Sequence, residues 1–208
     1  MPRLDGIDVS HYQGQIDWTQ VRSDAGIRLV SAKATEGVRN VDQKFAANWA
    51  AMRAAGFPYR FAYHFVTPDP PAAQAQHFVQ TIGKLQPGEG VMLDIEWVNS
   101  ATKPPTELET ALVVELLAAV KAQTGRTPLR YMGEYYAGFN DPRLTAYPLW
   151  LAAYESALPK TPAPTIVWQW GGGNNGSFVS GIDGGKSRVD SNQVEDWDTV
   201  ATLTGATA

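Results

Sequence analysis

Short apolar runs of strand length alternate with runs of helical periodicity through the first half of the chain, and that alternation restricts the fold more than any other feature. Strand-like runs fall at Gly6–Tyr12, Arg28–Thr35, Tyr59–Val66, Gly90–Trp97, Leu129–Tyr135, Leu149–Tyr154, Ile166–Trp170 and Arg188–Gln193, eight in all. Helical runs fill the early gaps. Trp18–Ala25 follows Asp17 as an N-cap, and Asp42–Ala55 carries Phe45, Trp49 and Met52 at helical spacing before Gly56. Pro71–Ile82 opens with proline where a helix tolerates it, and Thr106–Gln123 puts Leu108, Leu112, Leu116 and Ala119 on one stripe before Gly125. After Tyr135 the gaps are short, rich in Pro, Gly and Asn, and hold no long amphipathic helix.

Eight strands with helices between the early ones predict an α/β fold, a parallel β/α barrel. A standard barrel of this kind takes about 250 residues. A chain of 208 residues without late helices therefore predicts a trimmed, irregular one. No internal repeat or interdomain linker is visible, so residues 1–208 read as one domain. The small, polar end from about residue 200 to 208 reads as a frayed tail or the stub of a linker.

Composition narrows the function. A net charge of -4 gives no basic footprint, which argues against nucleic acid and anionic membrane surfaces as partners. The absence of cysteine excludes disulfides, thiolate nucleophiles and cysteine-ligated zinc. No run approaches the ~18 apolar residues of a membrane span, and no apolar leader precedes the first strand, so neither membrane insertion nor a signal peptide is expected. Seven Trp, eight Tyr and seven Phe are mostly core, with some flat faces left for stacking on sugar rings.

The acidic residues fall on strand ends, where such barrels carry their chemistry. Asp8 lies in the first strand, Glu36 just past the second, Asp94 and Glu96 in the fourth and Asp190 in the eighth. First and last strands are neighbours in a closed barrel, so Asp8 and Asp190 are expected side by side. Asp94 and Glu96 are two apart on an apolar strand, on one face, with Cα atoms about 6.5 Å apart. Repulsion within such a pair raises one proton affinity and so provides a general acid beside an ionised carboxylate. Trp97 follows the pair. Loop-fixing charges, or a calcium or magnesium site, remain open readings of the same residues, although no Asp-x-Asp-x-Asp-Gly loop is present.

Taken in order, the motifs resemble glycoside hydrolase family 25, the muramidases of phage lysins and bacterial autolysins. Gly6-Ile7-Asp8-Val9-Ser10-His11-Tyr12-Gln13-Gly14 with Ile16-Asp17-Trp18 is similar to the family's opening, and Lys33-Ala34-Thr35-Glu36-Gly37 to its second-strand motif. Asp42, Phe45 and Asn48, then Tyr63-His64-Phe65, Leu93-Asp94-Ile95-Glu96, Trp150 to Tyr154, Trp168-Gln169-Trp170 and Val189-Asp190 complete the series. The resemblance implies an irregular, flattened barrel of five β/α units followed by three strands. It implies cleavage of the β-1,4 bond between N-acetylmuramic acid and N-acetylglucosamine in peptidoglycan, by a monomer, without cofactor or metal. It assigns Glu96 as general acid, Asp94 as its partner at the 2-acetamido group, and Asp8 and Asp190 as flanking acids. Lys33, Glu36, Tyr63, Tyr131, Tyr154 and Gln169 match positions that bind sugar hydroxyls and acetamido groups.

The sequence departs from the family at Tyr59-Arg60-Phe61-Ala62 and at Tyr131-Met132-Gly133-Glu134-Tyr135, where Glu134 adds a carboxylate as a subsite contact or surface group. His64 should face away from Tyr63 as a satisfied core histidine, His77 should be on the surface, and His11 has no decided role. Gly171–Gly176 reads as a flexible loop at the cleft rim and not a phosphate loop; the Asn175-Gly176-Ser177 sequon reads as chance. A carboxylate pair on one strand lies on one side of the sugar and fits substrate assistance with net retention better than two opposed carboxylates. The compact unit without a leader leans towards a phage lysin acting on the wall, with extracellular action the other possibility. Rival readings are another N-acetylglycan hydrolase, of chitinase or endo-N-acetylglucosaminidase type, and a non-catalytic wall-binding module.

Overall fold

The computed structural model describes residues 2–24, 26–96, 106–138 and 141–206. Trp97 and Ala25, each at the end of an expected element, lie outside the described residues. The order is β1 (Gly6–Val9), α1 (Trp18–Ser23), β2 (Leu29–Glu36), β3 (Asn40–Val41), α2 (Phe45–Ala54), β4 (Tyr59–Phe65) and α3 (Pro71–Ile82). There follow β5 (Glu89–Asp94), α4 (Glu107–Thr124), β6 (Leu129–Gly133), α5 (Glu134–Ala137), α6 (Pro142–Thr145) and β7 (Leu149–Ala152). The chain continues through β8 (Thr165–Gly171), β9 (Ser177–Phe178), β10 (Arg188–Val194) and α7 (Trp197–Thr204).

All eight expected strands are present, and they close. Neighbours run β1-β10-β8-β7-β6-β5-β4-β2, and β2 pairs with β1 to complete the ring. The two short extra strands hang outside this ring, β3 on β2 and β9 on β10. Five β/α units precede β7, β8 and β10, as the resemblance implies. The all-parallel expectation fails at the last strand, since β10 is antiparallel to both β1 and β8. A parallel partner needs a long crossover, usually a helix. The segment between β8 and β10 holds only two 3-10 turns and β9, so the chain returns antiparallel.

Side chains alternate across each strand, which divides the apolar residues into two cores. One fills the space between barrel and helices and includes Val30, Ala62, Leu93, Met52, Phe78 and Leu116. The other fills the barrel's lower interior with Leu29, Phe61, Met92, Leu129, Trp150 and Val167. Gly90 permits this packing, because a Cβ there would come within 2.4 Å of the Phe61 ring.

Two further expectations need correction. The end of the chain is not a tail up to residue 204. Asp196 caps α7 through its side chain, Gly205 ends it in the left-handed region, and Val200 and Leu203 enter the interior core. Thr204 accepts a backbone hydrogen bond from Gly88 at the foot of β5, so α7 packs beneath the barrel. In α4 the buried face is Thr110, Val113, Leu116, Leu117 and Val120, and Leu108, assigned to the apolar stripe, is 79% exposed. Nearly every turn of α4 offers an apolar residue on each side, so packing against α3 and the barrel decides its rotation.

Candidate active site

The upper ends of the parallel strands surround a cleft of about 320 Å³. Asp8, Asp94, Glu96 and Asp190 all line it, together with Lys33, Tyr63, Tyr131, Tyr154 and Gln169. Glu36, the last residue of β2, does not line this cleft. Its carboxylate accepts from the Lys33 ammonium at 2.6 Å and faces an adjoining cleft. Glu96 lies two residues beyond the end of β5 rather than within it, and Asp94 is that strand's last residue.

Asp190 reaches the cleft because its strand runs backwards. It is the third residue of β10, which in a parallel barrel would place it at the foot. The antiparallel direction lifts it to the mouth, directly opposite Asp8 in the β1–β10 register. The expected neighbours are therefore neighbours, for a reason the parallel reading did not contain.

A hydrogen-bond chain fixes one wall. The Tyr131 and Tyr154 hydroxyls donate to Gln169 Oε1 at 2.9 and 3.0 Å. Gln169 Nε2 donates to Asp8 Oδ2 at 3.0 Å, and Asn192 Nδ2 donates to the same oxygen at 2.7 Å. Asn192 is held in turn by Trp150 Nε1 at 2.9 Å. The Tyr131 hydroxyl also lies against Glu96, and its single proton serves only one acceptor at a time.

All four carboxyls hold their protons more tightly than free ones. Burial is the largest cause in each case. Asp94 is pushed well above the usual carboxylate range by burial, then by the charges of Glu96 and Asp8, and its Oδ1 has no hydrogen-bond partner among the described residues. Glu96 is raised by burial, opposed by the Tyr131 hydroxyl. Asp8 is raised by burial against the donors Asn192 and Gln169. Asp190 is pushed up to about 7 by burial and the charge of Asp8, opposed by the Gly173 N–H at 3.3 Å. Such a cluster supplies a protonated acid and an anion side by side near neutral pH. Among the described residues, no three His, Asp or Glu side chains are grouped so as to hold a metal ion.

The remaining expected residues fall into place individually. His64 is fully buried, bonded to Thr35 Oγ1 at 2.7 Å and Gln74 Oε1 at 3.0 Å, and burial drops it to about 4. His77 bonds the Asn40 carbonyl at 3.1 Å from a partly exposed position. His11 is fixed by Asp42 through its backbone N–H at 3.0 Å and its Nδ1 at 2.8 Å. Glu134 begins α5, exposed, and does not line the cleft. Arg60 is structural, since it joins Arg53 on the buried Glu89 at the start of β5.

The loop 171–176, expected at the cleft rim, is closely fitted at its two ends. A Cβ on Gly172 would meet the Tyr154 hydroxyl at 2.6 Å and Asp190 Oδ1 at 2.9 Å, and one on Gly176 would meet the Val189 carbonyl at 2.3 Å. Sequence reasoning also missed Ser10, Tyr12, Gln13, Phe65 and Met92 in the cleft and Asn192 behind it. Period two would have found three of them: Phe65 follows Tyr63, Met92 precedes Asp94 and Asn192 follows Asp190, each by two positions. Ser10 and Gln13 form a capping box on a one-turn 3-10 helix, which presents Tyr12 at the rim, 83% exposed.

The model of glycosyl hydrolases family 25 matches residues 7–179. YegX of Escherichia coli strain K12 is 35% identical over 191 residues, covering 87% of this chain and 66% of that protein. Lysozyme M1 of Streptomyces globisporus is 31% identical over 201 residues, covering 89% and 66%. The chain thus spans just under two thirds of the length of these relatives. A bacterial lysozyme from Streptomyces coelicolor superimposes with a TM-score of 0.78 at 28% identity, covering 97% of each chain. A closed barrel of this topology, the carboxylate cluster at its mouth and these matches lead to one conclusion: the chain belongs to glycosyl hydrolases family 25.

Proposed function

We propose that this protein hydrolyses the β-1,4 bond between N-acetylmuramic acid and N-acetylglucosamine in bacterial peptidoglycan. The observation that carries the reading is the placing of Asp94 and Glu96 together in one cleft, both with raised proton affinity, with Asp8 and Asp190 opposite. Glu96, less enclosed and beside the Tyr131 hydroxyl, protonates the leaving oxygen. Asp94 steadies the 2-acetamido group as its oxygen attacks the anomeric carbon. Glu96 then acts as base towards water, so the configuration is retained overall. Asp8 and Asp190 set the field around that centre. Tyr63, Tyr131, Tyr154, Gln169 and Lys33 bind the sugar, and Glu36 braces Lys33. The protein is proposed to act on the wall as a monomer.

Digestion of purified peptidoglycan by the native protein and by Glu96→Gln, followed by borohydride reduction and mass spectrometry, tests this. Reduced muramic acid ends from the native protein alone are expected. Reduced glucosamine ends would move the cut to the other bond, and binding without new ends would make the barrel a recognition module. NMR of the first-formed product should show the β-anomer; the α-anomer first would sink the retaining route.

A further inference from the structure

A second cleft of about 340 Å³ adjoins the catalytic one, and Lys33 lines both. Its other walls come from the turn after β1, the β2–β3 hairpin and the two residues after β3: His11, Glu36, Asn40, Val41, Asp42 and Gln43. We infer that this second cleft receives the short peptide that muramic acid carries on its lactyl group. The inference rests on the muramidase reading and adds a peptide subsite to it.

Orientation is the first argument. Glu96 lies against the Tyr131 hydroxyl of β6; both it and Asp94 feel the charge of Lys33, but Asp94 also feels that of Glu36 on the β2 side. A sugar with its leaving oxygen at Glu96 and its C2 acetamido group at Asp94 turns C3 towards β2. The lactyl ether and its peptide leave from C3. The stem therefore meets the Lys33–Glu36 pair and passes into the space beyond it.

Chemistry is the second argument. The catalytic cleft is rich in aromatic faces, namely Tyr12, Tyr63, Phe65, Tyr131 and Tyr154. Among the described residues no Trp, Tyr or Phe lines the second cleft, and the His11 imidazole is its one ring, so it lacks the broad flat platform a further saccharide would use. It offers instead the side-chain amides of Asn40 and Gln43, which match peptide amides in both donor and acceptor. Val41, 52% exposed, offers an apolar contact for a small side chain. The walls are fixed in advance, with β3 held in register on Thr35 and Glu36, His11 tied to Asp42, and Lys33 tied to Glu36. Fixed walls reduce the ordering cost of binding.

The test compares glycan strands bearing their peptides with the same strands stripped by an amidase. Steady-state kinetics is measured for the native protein, for the double variant Asn40→Ala/Gln43→Ala and for Val41→Glu, with thermal melts as the folding control. Losing two amide contacts should raise KM for peptide-bearing strands about tenfold relative to stripped strands, with kcat nearly constant. Val41→Glu should shift the same ratio in the same direction. A ratio unchanged in both variants overturns the inference. Failure of the native protein to cut either substrate overturns the muramidase reading, and the inference falls with it.

Discussion

At the residue scale the cleft is governed by unrelieved negative charge. Among the described residues Lys33 is the one cation lining it, and Glu36 already holds it. Burial raises all four carboxyls most, and the charge of Asp8 adds to the rise in the other three. The charge of Asp8 acts on Glu96 and on Asp190, raising both. Neutralising Asp8 should release part of that rise. In the proposed role of general acid, Glu96 works while protonated, so the rate should fall as pH climbs through its pKa. Asp8→Asn lowers that pKa and should move the alkaline limb of kcat/KM to lower pH, by roughly half a unit to one unit. The pH profile of lysis measures it. An unmoved limb would mean that another group carries the proton.

At the scale of elements, a charged knot at the foot of the barrel fixes β5, the strand that ends in Asp94. Glu89 is fully buried and accepts from Arg53 at 2.6 and 2.9 Å and from Arg60 at 3.3 Å. Burial alone would raise its pKa, yet the hydrogen bonds from Arg53 and Gln86 N–H and the two positive charges leave it lowered. Its contribution is thus present above the ordinary carboxylate pKa and is lost as pH falls through the folded value. Glu89→Ala strands two guanidiniums and should cost about 3–5 kcal/mol in urea unfolding at pH 7. The loss should shrink in acid, where native Glu89 is itself protonated.

This knot also explains what the sequence could and could not disclose. Strand period two reveals Asp8, Tyr63 and Asp94 as inward residues, and the topology of closure brings Asp8 to Asp190. Arg60 reads as an oddity until Glu89 is known to lie beside it, because that contact joins two strands 29 residues apart. The rotation of α4 is hidden for a similar reason, since its own residues are apolar on too many sides. Helix α7 was legible, with Asp196 and Gly205 as its start and stop signals and Val200 and Leu203 three apart, but its small polar residues suggested a tail. The return direction of β10 was legible too, in the missing crossover helix.

For the whole molecule, the active cleft opposes stability. A carboxyl whose folded pKa is raised favours folding through its proton. Its contribution is complete below the ordinary pKa near 3.8 and disappears as pH rises through the folded value. For Asp190 that window runs from about 4 to about 7. Above it, folding keeps a half-buried charge close to Asp8 with, among the described residues, only the Gly173 N–H bonded to it. Asp190→Asn removes that charge while keeping the side chain's size. It should be more stable than the native protein at pH 8, by about 1–3 kcal/mol and so by a few degrees in Tm. Near pH 2.5 the two proteins should melt together, because native Asp190 is then neutral in both states. Calorimetry at the two pH values decides the point. Equal melting at pH 8 would place the electrostatic strain on Asp94, whose burial is deeper and whose Oδ1 lacks a partner. A stabilised variant with reduced lysis would show that the barrel gives up stability to keep four carboxyls at its mouth.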